Sequence, residues 1–319
     1  MSRLAGFLVA FVVFVTAATA AELPLSADSQ VVGQSATIVA EHRDTFVALA
    51  RKYDLGFEEI VRANPGVDPW LPGEGTEIFL PTQFVLPNAP RSGIVINLPE
   101  LRLYYFPDGE EGRLITHPIS IGRMDWGTPL GLTMIQSKAT NPAWYPPQSI
   151  RDEHAAENRP LPAVVPPGPD NPLGAHALRL GLPGYLIHGT NKPSGVGMRV
   201  THGCIRMFPE DIEALFESVP VGTPVRIVNQ PVKLGHDGSA LYVEAHPPLP
   251  DRLSEESSAL TELTRAFVAF AEEGQGNGFD WDLAEQVAMT SRGIPELISA
   301  FVPAASVPAA DNLPAAGGL

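Results

Sequence analysis

The sequence predicts a mainly β central domain over residues 91–229, a small α/β unit before it at 35–82, and a helical region after it within an extension spanning 230–303. Three observations predict this. Between Arg91 and Val228 the apolar residues come in short runs broken by Pro and Gly, as strands joined by turns do. Residues 35–82 combine β-type runs with two stretches of helical period. Further on, Leu260, Leu263, Phe267 and Phe270 form one helical stripe, which reads as a core-facing surface. The 33 Pro and 29 Gly among 319 residues fit many turns and few long helices, and 44% apolar residues suffice for a sizeable core.

In chain order, residues 1–21 read as an export signal: Arg3, an apolar run from Leu4 to Val15, and small residues at Ala18-Thr19-Ala20. The run is short for a membrane span, so the mature chain is expected to be soluble and outside the cytoplasm. Residues 22–34 read as a linker. Thr37-Ile38-Val39 is a short β run. Asp44-Thr45-Phe46 opens a helix, and Phe57, Ile60 and Val61 mark a second that Asn64-Pro65-Gly66 stops. Leu71-Pro72-Gly73-Glu74-Gly75 turns into a strand at Glu77 to Leu80. This β-α-α-β order, with Asp44-Thr45-Phe46, Ile60 to Pro65 and Leu71-Pro72-Gly73 through Pro81, resembles the LysM module. The resemblance implies binding of the N-acetylglucosamine-containing glycan of peptidoglycan or chitin.

In the central domain, Ile94 to Asn97 and Leu101 to Tyr105 flank Leu98-Pro99-Glu100 as a hairpin, and Ile115 to Ile121 is a further strand ended by Gly122. Thr128-Pro129-Leu130-Gly131 turns into Thr133-Met134-Ile135. Residues 139–173 are too rich in Pro and polar residues for a regular core element, and a long loop holding Trp144 and Tyr145 suits the wall or cover of a site. Asp211 to Ser218 reads as a helix and Pro224 to Val228 as the last strand. Pro231 to Pro250 reads as extended, Trp281 to Met289 as a second C-terminal helix, and residues 304–319 as a disordered tail.

The chemistry concentrates between Tyr185 and Met207. An apolar run delivers His188, a glycine-containing loop follows, and Thr201-His202-Gly203 leads to Cys204, the only cysteine. An exported protein with one cysteine cannot form an internal disulfide, which leaves intermolecular pairing, an inert thiol or a reactive one. Its polar neighbours are poor material for an apolar core. A thiol with a pKa of about 8.5 needs a base to act as a nucleophile at neutral pH, and His188 is the candidate. The reaction suggested is acyl transfer through a thioester, with the N–H groups of Gly203 and Cys204 as oxyanion donors and the Gly189 carbonyl orienting His188. His202 is a rival base, but neighbours in sequence seldom face each other across a turn, so a supporting role suits it. Arg206 either holds a substrate carboxylate or braces the loop. Zinc held by His188, His202 and Cys204 would lack a fourth ligand and regular spacing, so no metal or cofactor is expected. A net charge of −15 argues against nucleic-acid partners and leaves cationic or zwitterionic substrates open.

His188-Gly189-Thr190-Asn191, then Met198 to Arg206 with Thr201-His202-Gly203-Cys204-Ile205-Arg206, resemble the L,D-transpeptidase (YkuD-type) catalytic domain. Gly122, Thr128 to Gly131, Pro160 to Pro166 and Pro169 to Pro172 also fit, and Leu241 to Leu249 is similar to the continuation in the ErfK/YbiS-like branch. Thr201 stands where the family has Ser, and Arg206 where many members have Asn. The resemblance implies a β-sandwich and a periplasmic enzyme. Its substrate would be a peptidoglycan tetrapeptide stem, cut before the terminal D-alanine. The acyl group would pass to a second stem, giving a 3→3 cross-link, or to a lysine of an outer-membrane lipoprotein. It also implies acylation of the cysteine by carbapenems and contacts of Thr201 and Arg206 with substrate. A hydrolase of the same fold and a non-catalytic wall-binding protein are the competing readings. The intact His188 and Cys204 speak against the latter.

Overall fold

A computed structural model describes residues 21–108, 112–253, 258–272 and 279–300. The export signal except its last residue, and the tail at 304–319, lie outside the described residues. No helix among the described residues is long and apolar enough to cross a membrane.

The chain opens with β1 (Ala21–Pro24) and β2 (Val31–Gly33), so residues 22–34 are not a linker. Leu23 and Leu25 pack on an apolar cluster with Phe84, Tyr104 and Leu114, which draws this segment onto the sheet. Next come β3 (Ala36–Val39), α1 (Phe46–Lys52), α2 (Phe57–Ala63) and β4 (Glu77–Leu80). Thr45 caps α1 by accepting the Ala48 N–H at 3.2 Å. Phe46, Leu49, Leu55, Ile60 and Ile78 form this unit's own core, closed by antiparallel pairing of β3 with β4.

The central part continues with β5 (Gln83–Val85), β6 (Gly93–Asn97), β7 (Arg102–Phe106), β8 (Arg113–Pro118), β9 (Ile121–Gly122) and β10 (Gly131–Thr140). After α3 (Gln148–Ala156) follow β11 (His176–Leu180), β12 (Leu186–His188), β13 (Arg199–Thr201), β14 (Ile205–Arg206), α4 (Pro209–Ser218) and β15 (Pro224–Val228). Nine strands form one sheet in the order β1-β8-β7-β6-β15-β10-β11-β12-β14. In place of a sandwich of two separate sheets, this sheet curls over on itself. The corner is β10, whose first half pairs with β15 and whose second half pairs with β11, with a register shift between Ile135 and Ser137. One core lies inside the curl, joining Ile94, Ile96 and Leu103 from one side to Leu178, Ile187 and Ile205 from the other. Strands β6 and β7 are buried on both faces, because Val32, Phe84 and Leu86 cover their outer side.

The C-terminal part corrects the expectation of a helical region. β16 (Val232–Asp237) and β17 (Ala240–Ala245) form a hairpin, and β18 (Glu296–Ala300) adds to β17. The expected helices, α5 (Ala259–Glu272) and α6 (Trp281–Thr290), pack on this sheet around Leu263, Phe270, Val287 and Ile298. β16 contains Lys233, Gly235, His236 and Asp237, which hide the alternation that marks a strand in sequence. Pro250–Arg252 bridges back to the centre: Arg252 Nη2 donates to the Thr128 carbonyl at 2.6 Å, and Arg199 Nη2 to Asp251 Oδ1 at 2.5 Å.

Candidate active site

The hairpin of β11 and β12 carries His188 as its last strand residue, and β14 starts immediately after Cys204. β12 and β14 pair in parallel, with Ile187 opposite Ile205 and His188 opposite Arg206. Neighbouring strands run about 4.8 Å apart, and in this register Cys204 falls opposite Leu186, so His188 and Cys204 lie diagonally across adjacent segments. Both line a cavity of about 580 Å³ together with Thr201, His202 and Arg206. Its other wall comes from the segment expected to flank a site, with Trp144, Tyr145 and Ile150 among the lining residues. That segment is more regular than its composition suggests, because it contains α3 and a bridge between Trp144 and Val165.

His188 is buried, and its Nδ1 lies 2.6 Å from the Gly189 carbonyl oxygen. A carbonyl only accepts, so Nδ1 carries the proton and Nε2 keeps a free lone pair. Burial, followed by the positive charge of Arg206, pushes the His188 pKa down to about 4, while the Gly189 carbonyl pulls the other way. Cys204 is half-buried, with Sγ 3.6 Å from the Gly184 carbonyl. Burial raises the pKa of the thiol, against a backbone hydrogen bond from Leu186 and the charge of Arg206, which lower it. At neutral pH the pair therefore rests as thiol and neutral imidazole. This is the state from which an imidazole can take a proton as the sulfur attacks.

The turn before the thiol is held at several points. Gly203 has φ +98°, and a Cβ there would stand 2.9 Å from the Tyr185 ring, so only glycine fits without displacement. Thr128 Oγ1 donates to the Gly203 carbonyl at 2.8 Å and accepts the Gly122 N–H at 3.2 Å. In a trans peptide the C=O and the following N–H point in opposite directions. Fixing the Gly203 carbonyl on Thr128 therefore turns the Cys204 N–H the other way. Thr201, placed in the sequence among the substrate contacts, lines the cavity but donates its hydroxyl to the Cys204 carbonyl at 2.6 Å.

His202 Nε2 lies 2.9 Å from Glu153 Oε2 on α3, and its ring meets the edge of Trp126 at 5.2 Å. Arg123 pairs with the same carboxylate and, with His202, holds its pKa below the usual range. His202 is thus engaged with the far wall. Arg206 lines the cavity with no hydrogen-bond partner at its buried Nε. Its backbone braces the strand, exchanging hydrogen bonds with Ser120 at 3.0 and 2.8 Å. The two roles open in the sequence are compatible, since the main chain serves one and the side chain is left for the other. Neither group of converging His, Asp and Glu side chains found among the described residues contains His188, His202 or Cys204. Sequence reasoning missed Thr128 as the brace of Gly203 and the pair Arg123–Glu153 behind His202. Thr128 drew notice only as part of a turn, and nothing local links Glu153 to a histidine so far along the chain.

The L,D-transpeptidase catalytic domain of the YkuD family matches residues 91–227. The Escherichia coli (strain K12) protein named "Probable L,D-transpeptidase YcfS" is 42% identical over 276 residues, covering 84% of this chain and 85% of that protein. "Probable L,D-transpeptidase YbiS" of the same strain is 45% identical over 251 residues, covering 76% and 81%. "Probable L,D-transpeptidase ErfK/SrfK" of Salmonella typhimurium (strain LT2) is 38% identical over 316 residues, covering 95% and 99%. The residues around His188 and Cys204 thus stand within a likeness that runs through most of the chain, and the chain belongs to the L,D-transpeptidase (YkuD) family.

Proposed function

We propose that the protein transfers the acyl group of a peptidoglycan tetrapeptide stem through a thioester on Cys204. The observation that carries this reading is the pairing of β12 with β14. It sets a neutral, singly oriented imidazole and the only thiol of the chain in one cavity beside a guanidinium whose Nε has no protein acceptor.

Cys204 Sγ attacks the carbonyl between the diamino acid and the terminal D-alanine while His188 Nε2 takes the thiol proton. The developing oxyanion receives the Cys204 N–H, and the Gly203 N–H is the second donor. Protonated His188 then gives its proton to the leaving D-alanine amine. In the second half, His188 deprotonates the acceptor amine, which displaces sulfur and regenerates the thiol. Arg206 supplies the positive charge suited to a stem carboxylate. His202, tied to Glu153, supports the turn and the far wall. The acceptor is a second stem or a lipoprotein lysine. A carbapenem presents a strained amide to the same sulfur and acylates it. A periplasmic location, where stem peptides lie, fits this chemistry. The βααβ unit, read as a glycan-binding LysM-like module, exposes Trp70 beside Phe57 with ring centroids 5.7 Å apart, an aromatic surface on which a sugar can stack.

The test is incubation of the purified protein with tetrapeptide-bearing muropeptides and identification of products by mass. Dimers linked through the diamino acids are expected, and Cys204→Ala abolishes them. Release of tripeptide alone would assign hydrolysis, and activity retained by Cys204→Ala would overturn the thioester.

A further inference from the structure

Away from the catalytic cavity, two groups of buried His, Asp and Glu side chains converge among the described residues, and they differ in one respect. In the first, Glu100, Glu244 and His246 surround the Lys233 ammonium, which lies 2.8 Å from Glu100 Oε1 and 3.0 Å from Glu244 Oε1. The Tyr104 hydroxyl donates to Glu100, and the Val85 N–H donates to Glu244 Oε2 at 2.5 Å. His246 Nε2 lies 2.6 Å from Glu244 Oε1. This group carries its own cation in Lys233, with only His246 Nδ1 among its ring nitrogens left without a hydrogen-bond partner.

The second group has no such lysine. Asp54 follows α1, His117 lies at the end of β8, and Asp211 lies in the first turn of α4, all at 5% exposure or less. His117 Nδ1 stands 3.5 Å from Asp211 Oδ1 and 3.6 Å from Asp54 Oδ2. Those separations are long for hydrogen bonds. They are close to the ligand-to-ligand edge of about 3.3 Å expected for a tetrahedral site with bonds near 2.0–2.1 Å. Neither ring nitrogen of His117 has a hydrogen-bond partner, and neither does Asp211 Oδ2. The neighbouring Arg102 is committed elsewhere, to both oxygens of Glu59 and to the Asp54 carbonyl. Arg51, on the same side, pairs with Glu210 at 2.7 Å.

We propose that Asp54, His117 and Asp211 bind a divalent transition-metal cation of the zinc class, fastening the N-terminal βααβ unit to the catalytic domain behind the active site. One imidazole with two carboxylates suits zinc better than the all-oxygen sets of calcium or magnesium. Asp211 Oδ2 is available as a further oxygen ligand. The site is separate from the catalytic stretch, for which no metal is expected.

The experiment uses the full mature chain, free of affinity tag, with Cys204→Ala so that the thiol cannot hold zinc. The protein is stripped with chelator, given zinc chloride alone, desalted and assayed by plasma mass spectrometry. About one equivalent is expected, falling at least tenfold when His117→Gln or Asp211→Asn is added. Zinc should raise the thermal midpoint of the parent and leave those variants unmoved. Should both variants fail to fold, X-ray absorption at the zinc edge of the loaded parent reads the ligands directly, and a single imidazole with oxygens and no sulfur is expected. Binding below about 0.1 equivalent, binding unchanged by both folded variants, or a shell with two or more imidazoles would overturn the site.

Discussion

In the proposed reaction His188 serves as a base only while its imidazole is neutral, and its surroundings keep it so. Burial and Arg206 depress its pKa to about 4. Below that value the ring is protonated and cannot accept from sulfur; above it the base is ready. The rate of Cys204 acylation should therefore rise with pH along a limb near 4 and be insensitive to this histidine through neutrality. Stopped-flow or mass-resolved acylation rates between about pH 3.5 and 8 check this, and a limb at the ordinary histidine value of about 6.5 would contradict it. Thr128 acts one bond further away, through the Gly203 carbonyl. Thr128→Val removes one hydrogen bond of ordinary strength, about 0.5–1.5 kcal/mol. It should slow acylation roughly 2- to 10-fold with the circular dichroism spectrum unchanged, and an unchanged rate would remove Thr128 from the machinery. His188, Gly189 and Cys204 were legible because one short stretch holds them all. Thr128 and Glu153 were not, because their partners are set by folding of distant segments rather than by spacing.

At the scale of elements, the loop between β12 and β13 is shaped by the βααβ unit. The first N–H groups of a helix lack partners within it, and at α2 the loop supplies them. Phe57 donates to the Val196 carbonyl and Glu58 to the Gly197 carbonyl, each at 3.2 Å. Gly197 has φ +81°, and a Cβ there would fall 2.2 Å from Gly56 Cα. Backbone meets backbone, so no side chain can rotate away. Gly197→Ala should cost at least about 1 kcal/mol, read as a lower urea midpoint with a loop newly open to proteases. A midpoint equal to that of the parent chain would contradict the contact. The period of apolar residues announced α1, α2, α5 and α6, because a stripe shows which face is buried. It does not show what the face or the helix end is buried against, so this docking was invisible. The extended reading of Pro231 to Pro250 covers β16 and β17, but β18 was invisible, since a short run of five residues gives no clear period.

Across the whole molecule, the parts outside the catalytic sheet converge on the loops around Cys204. The N-terminal unit is joined through Arg102, fully buried, whose guanidinium holds Glu59 at 2.8 and 2.9 Å and lies 4.2 Å from the centre of the Phe84 ring. Buried pairs of this kind fix an arrangement more than they add stability. The C-terminal part reaches the same region through Asp251 and Arg252, the latter bonded to the residue that braces Gly203. The architecture thus presents one thiol on a turn that all three parts support. The most direct measurement is the intact mass of the protein after exposure to a tetrapeptide stem or a carbapenem, with the adduct mapped by fragmentation. The account predicts one acyl group on Cys204, lost in Cys204→Ala and slow to form in His188→Ala. Product formation with no adduct at that sulfur under rapid quenching would contradict it.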